Sequence, residues 1–153
     1  MIRAGTMEDL EALVEGNISM ARETEGLALD PETVREGVRA ALAGEVNATY
    51  RILERSGRVM AQLMITTEWS DWRATRVWWI QSVYVWPEGR RQGAYRALYE
   101  QVLQEAREAG AGGVRLYVDN RNGGARETYS VLGMDGGHYQ VFEQMFNEPP
   151  GVN

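Results

Sequence analysis

Apolar residues recur along this chain with two different periods, and the changes of period mark its elements. Leu10, Leu13, Val14, Ile18 and Ala21 repeat at helical spacing, behind a Thr6 and Asp9 pair that resembles a capping box. Asp30 before Pro31 reads as an N-cap followed by proline at the first helical position. Val34, Val38, Ala41 and Leu42 then supply the stripe of a second helix. Glu23 to Leu29, between the two patterns, is expected to be a loop.

The period then shortens. Ile2 to Ala4 is a short strand candidate, and Ala48 to Glu54, Arg58 to Thr67 and Arg76 to Val85 are rich in β-formers. Arg55-Ser56-Gly57 is a hairpin signal between the first two strands of this meander. Glu68 to Thr75, with Trp69, Asp71 and Trp72, has the polar and aromatic mixture of a binding loop. After Pro87 the helical period returns in Ala94, Leu98, Val102, Leu103 and Ala106, and Gly110 ends it. Val114, Leu116 and Val118 alternate as a strand, Gly124 to Leu132 forms a short helix stopped by Gly133, and Tyr139 to Phe146 is a last strand. The order βααβββαβαβ predicts an α/β (α+β) fold: a mixed, mostly antiparallel sheet flanked by helices, with one helical crossover. One domain is expected over residues 1–148, with a flexible tail at 149–153.

Composition narrows the chemistry. The 153 residues are 44% hydrophobic and 25% charged, as in ordinary globular proteins. Zero cysteines exclude disulfides and thiolate catalysis, and one histidine, His138, cannot build a metal cluster, so no metal is expected. A net charge of −6 argues against a nucleic-acid partner and favours a cationic one. The most apolar stretch, Val77 to Trp86, is too short to span a bilayer, and the first residues have neither a secretory nor a transit pattern. The expected compartment is cytoplasmic.

The segment Val83 to Arg96 is a strand running into a loop, with Gly93 at the start of a long helix. A helix N-terminus offers unpaired N–H groups and positive dipole, and glycine lets a ligand approach the backbone, so this arrangement suits a phosphate or pyrophosphate. Arg90, Arg91 and Arg96 add positive charge.

These residues resemble the acetyl-CoA motif of the GNAT superfamily of N-acetyltransferases: Arg or Gln, two residues, Gly, one residue, then Gly or Ala. Arg90 and Gly93 match it, while Tyr95 stands where a second small residue is usual. Asn122, Ala125, Tyr129, Gly133 and Met134 match the family's later pattern of Asn, Ala, Tyr and Gly-Phe, with Met for Phe.

The resemblance implies acetyl-CoA as co-substrate and a primary amine, on a small molecule or a peptide, as acceptor. It implies that the strand ending at Val85 splays from the strand of Val114 to Val118 and that the backbone of Val83 and Val85 pairs with the pantetheine arm. The Val83 N–H would stabilise the oxyanion. Arg90, Arg91, Gln92, Gly93, Ala94, Tyr95 and Arg96 would surround the pyrophosphate, and Asn122 would hydrogen-bond the cofactor. Tyr129 is the expected general acid for the departing thiolate, since a phenol with a pKa of about 10 carries its proton at neutral pH.

An amine arrives protonated, so a base is also needed. Glu68 is the first candidate and Asp71 the second, with Trp69 and Trp72 beside them to receive a cation. A non-catalytic acyl-CoA-binding or sensing module of the same fold is the alternative reading. A nucleotide-binding domain fits less well, because no P-loop or dinucleotide glycine pattern is present. A homodimer is compatible with the sequence.

Overall fold

The computed structural model describes residues 1–118 and 122–147. Its elements are β1 (Ile2–Ala4), α1 (Leu10–Glu25), α2 (Pro31–Leu42), β2 (Thr49–Arg55), β3 (Arg58–Ser70), β4 (Thr75–Val85), α3 (Ala94–Glu108), β5 (Gly113–Leu116) and α4 (Gly123–Val131). The strands form one sheet in the order β1-β2-β3-β4-β5, antiparallel except for the parallel β4–β5 pair that α3 connects. This is the mixed, mostly antiparallel architecture that the pattern of periods predicts.

Alternation along β3 divides the core into two layers. Leu63 and Ile65 pack with Leu98 and Val102 of α3, while Met64 packs with Leu13 and Val14 of α1 and Val38 of α2 on the other face. Each such buried aliphatic side chain contributes about 1.5–3 kcal/mol. Among the described residues no helix is long and apolar enough to cross a membrane.

Local chemistry sets the boundaries. Asp30 accepts the Thr33 N–H at 3.1 Å with Pro31 at the first helical position, as the sequence predicts for α2. Ser56 and Gly57 both have positive φ, 52° and 74°, which closes the β2–β3 hairpin in two residues.

Three sequence expectations need correction. Glu23 belongs to α1 and not to a loop: the apolar stripe ends at Ala21, but Arg22 to Glu25 are good helix formers, and the helix stops at Gly26 in the left-handed conformation. Glu68 and Trp69 lie inside β3, and Asp71 to Ala74 form a tight turn, so no binding loop joins β3 to β4. Tyr139 to Phe146 form no strand. Their alternation shows a strand's pattern, but a strand also needs a neighbour to bond, and none of the described residues pairs with them. The expected tail at 149–153 lies outside the described residues.

A half-buried ion pair ties the N-terminal strand to the turn that opens α1. Arg3 donates to both Asp9 oxygens, at 2.8 and 2.9 Å, and to Glu54 at 2.7 Å, while Asp9 also accepts the Thr6 N–H. These hydrogen bonds, the Arg3 one foremost, hold the Asp9 carboxyl below its ordinary value. A depressed folded-state pKa means that the stability is complete above about pH 4 and is lost as the pH falls through the folded value. Asp9→Asn should cost about 2 kcal/mol in urea unfolding at pH 7 and distinctly less at pH 2.5. An equal cost at both pH values would show that the ion pair contributes nothing.

Candidate functional site

β4 and β5 pair only from Val77 opposite Gly113 to Ile80 opposite Leu116. Just beyond, the β3–β4 register jumps: Gln62 faces Tyr84 while Met64 faces Gln81, so Leu63 meets both Ser82 and Val83. This is a β-bulge, with Ser82 at φ 52°. Bulges bend the strand that carries them, and here the bend turns β4 away from β5, leaving the β5 side of Val83 and Val85 without a strand among the described residues.

The bulge is braced from the α1 face. Gln62 is fully buried, and its amide donates to Asn17 at 2.9 Å and to the Ser82 carbonyl at 3.4 Å. Asn17 donates in turn to the Tyr50 hydroxyl at 3.3 Å.

The freed backbone leads into the loop before α3. Two residues there, Arg91 at φ 61° and Gly93 at φ 73°, are left-handed. Turns of this kind point successive N–H groups into a concavity that suits an anion. No side chain caps α3, and a Cβ at Gly93 would meet nothing within 4 Å, so the helix N-terminus is open to a ligand. An open cleft of about 560 Å³ runs from this N-terminus and Val85 to Thr128 and Val131 of α4.

The side chains of the loop divide into struts and free groups. Arg90 donates to the Val85 carbonyl at 3.0 Å and to Glu23 at 2.9 Å, and its guanidinium lies 5.7 Å from the Tyr84 ring centre. Tyr84 donates to the other Glu23 oxygen, and this bond and that from Arg90 hold the Glu23 carboxyl low. Arg90 therefore ties the loop to β4 and α1. Gln92 bonds the Glu88 carbonyl at 2.9 Å, and Arg96 pairs with Glu100 on the helix surface. Arg91 is exposed, with no ion pair among the described residues.

Tyr95 points into the space that its small-residue counterpart would leave open. Its ring stacks on Tyr99 at 6.0 Å and meets Tyr129 edge-on at 5.5 Å between ring centres. Its hydroxyl is buried with no partner inside hydrogen-bond geometry. Burial pushes both phenols up, and Tyr129 raises Tyr95 further, whereas Tyr95 pulls Tyr129 part of the way back. Asn122 spends its side-chain oxygen on the α4 N-cap, accepting the Ala125 N–H at 3.1 Å.

Residues 17–134 match the model of the acetyltransferase (GNAT) family. The chain belongs to this family. A possible acetyltransferase from Clostridium difficile 630 is similar at 37% identity and TM-score 0.89, over 97% of this chain and 98% of that one. A predicted acetyltransferase from Clostridium acetobutylicum, solved with acetyl-CoA, shares the fold at 18% identity and TM-score 0.75, over 94% and 95% of the two chains. A ribosomal-protein-alanine N-acetyltransferase from Brucella melitensis biovar Abortus 2308 does so at 13% identity and TM-score 0.77, over 95% and 99%. No curated protein matches the sequence.

Within this GNAT fold the four residues proposed for the acceptor side stand apart from the splay. Glu68 pairs with Val77, six strand residues before Val83, or about 20 Å along β4. Its carboxylate accepts the Trp79 indole N–H at 2.6 Å and lies 3.8 Å from Arg115. Trp69 has the Arg76 guanidinium 6.0 Å from its ring centre, Asp71 sits in the turn, and Trp72 is 90% exposed at the hairpin tip. The structure does not bring them to Val83 or Tyr129.

Sequence reasoning missed three parts of the site. Ser82 has no composition signal for positive φ, and Glu23 reaches Tyr84 and Arg90 from 61 and 67 residues away in the chain. Gln62 was hidden in a run of β-formers. A glutamine in the otherwise apolar run Val59 to Ile65 was the available clue.

Proposed function

We propose that this GNAT protein is an N-acetyltransferase that passes an acetyl group from acetyl-CoA to a primary amine by direct attack. The splay at Val83, opening toward the uncapped α3 N-terminus, is the observation that carries this reading. The residues present fit the cofactor: free strand backbone for amide groups, left-handed turns and Gly93 for a pyrophosphate, and a cleft between them. Acetyl-CoA supplies the activated acyl group. The chain's own residues do the rest. The Val83 N–H stabilises negative charge on the acyl oxygen, Arg91 and the α3 N–H groups hold the phosphates, and Tyr129 delivers a proton to the departing sulfur.

Glu68 is proposed to recognise the acceptor. Bound to Trp79, whose ring lies 4.7 Å from Tyr117, it forms a polar and aromatic wall on the sheet, suited to a cationic part of the acceptor remote from the reacting nitrogen. The proton lost by the amine then leaves through water, since neither Glu68 nor Asp71 is near Val83.

The test combines binding and turnover. Acetyl-CoA at millimolar concentration should raise the melting temperature, whereas adenosine should not, and free thiol should appear when polyamines, amino acids, aminoglycosides or peptide N-termini are added. No thermal shift would remove the cofactor assignment. A shift with no thiol release on any amine would favour the acyl-CoA-binding or sensing module.

A further inference from the structure

Among the described residues two buried side-chain polar atoms lack a hydrogen-bond partner, the Gln62 Oε1 and the Tyr95 hydroxyl. Gln62 braces the bulge through its amide nitrogen. The Tyr95 hydroxyl bonds nothing in the fold, and phenylalanine would fill the same space without leaving a polar group unpaired.

The neighbours of this hydroxyl are two other phenols. Tyr99, one turn along α3, stacks on the Tyr95 ring at 6.0 Å, and Tyr129 of α4 meets it edge-on at 5.5 Å. Of the two, Tyr129 is the one whose charge changes in the proposed transfer. Burial raises both the Tyr95 and the Tyr129 phenol, and beyond that Tyr129 raises Tyr95 while Tyr95 lowers Tyr129. Those directions follow when Tyr95 donates and Tyr129 accepts. Tyr95 also stands in the first turn of α3, where its N–H is one of the groups proposed to hold the phosphates. One residue thus links the phosphate end of the cleft to the acid.

We infer that Tyr95 is a positioning residue for Tyr129, its hydroxyl donating a hydrogen bond to the Tyr129 oxygen as that oxygen gives up its proton. The inference rests on Tyr129 being the acid of the proposed transfer. There the Tyr129 O–H bond breaks, and its proton goes to the sulfur as the carbon–sulfur bond cleaves with its electron pair on sulfur. Tyr129 is left as a phenolate and regains a proton from water, which also carries away the proton of the amine. A phenolate accepts a far stronger hydrogen bond than a phenol, so the Tyr95 donor contributes more after proton transfer than before it. Because that donor has no earlier bond to break, it stands ready for the charge that develops.

Tyr95→Phe tests the hydroxyl alone, since the ring and its stacking remain. The first readout needs no cofactor. With Tyr129 replaced by a ring-fluorinated tyrosine, which titrates below tyrosine itself, fluorine NMR follows the phenol at that position, and Tyr95→Phe should raise its midpoint by about one pH unit. In single turnover with acetyl-CoA and an accepted amine, Tyr95→Phe should lose about tenfold in rate, while its affinity for acetyl-CoA stays that of the parent. The double variant with Tyr129→Phe should be no slower than Tyr129→Phe alone, because the bond needs both hydroxyls. Urea unfolding should show Tyr95→Phe as stable as the parent or more so, since the lost hydroxyl had no partner. An unmoved midpoint, a further tenfold loss in the double variant, or a loss that appears only as weaker acetyl-CoA binding would each overturn the inference. Full activity in Tyr95→Phe beside a slow Tyr129→Phe would remove this role of Tyr95 alone, whereas full activity in Tyr129→Phe would remove the acid and the role of Tyr95 with it.

Discussion

Tyr129→Phe should bind acetyl-CoA as the parent does and lose about a hundredfold in single-turnover rate, the contribution typical of a positioned general acid. That factor corresponds to about 2.7 kcal/mol in the barrier. The substitution keeps the ring and with it the edge-on contact to Tyr95. Stability should therefore change little, and a loss beyond about 1.5 kcal/mol would assign the hydroxyl a structural partner instead.

The pH profile provides a second reading. Burial raises the Tyr129 phenol above its ordinary value of about 10, so its proton is retained through the neutral range and is lost only as the pH rises through that elevated value. The rate in the parent should climb with pH as the amine deprotonates, with no falling limb below pH 10. Tyr129→Phe should lower that curve without moving it. Full single-turnover activity in Tyr129→Phe, or a falling limb between pH 7 and 9 that the mutation removes, would take the acid role away from an elevated Tyr129.

The parts of this site that were legible in the sequence are those that short-range chemistry dictates. Gly93 at the head of an apolar helical stripe, and Asn122 to Gly133 as a capped and terminated helix, follow from propensities within a few residues. The parallel β4–β5 pair follows from the helix between them. What was not legible depends on which segments meet. Whether Glu68 serves the splay is decided by the length of β3, which runs on through Ser70 and carries the β3–β4 turn to the far end of the sheet. Arg90 reads as a phosphate cation until Glu23 arrives from α1, 67 residues away, to pair with it, its other oxygen held by Tyr84. The bulge at Ser82 is imposed by Gln62 and Asn17, whose pairing spans 45 residues. Tyr139 to Phe146 alternate as a strand would, but periodicity says nothing about whether an edge is there to pair with, and no strand forms.

Two glycines in helices should respond to alanine with opposite signs. Gly37 lies exposed in α2, and a Cβ there would meet nothing within 4 Å. Gly37→Ala removes only the entropy cost of a helical glycine and should stabilise the fold by about 0.5–1 kcal/mol. Gly16 has the same helical preference in its favour, but it is buried where α1 crosses β3, and its Cβ would stand 2.2 Å from the Gln62 Oε1 and 2.8 Å from the Trp86 ring. The end of a glutamine can usually swing away. This one cannot, because Asn17 and the Ser82 carbonyl hold its amide and no exposed space surrounds it. Gly16→Ala should therefore cost about 1–3 kcal/mol in urea unfolding, the range for an overpacked core, in spite of its helix propensity. Because the displaced group is the brace of the bulge, the same change should weaken acetyl-CoA binding from the opposite face of the sheet. If Gly16→Ala stabilises the protein as Gly37→Ala does, Gln62 is mobile, and the bulge at Ser82 needs another cause.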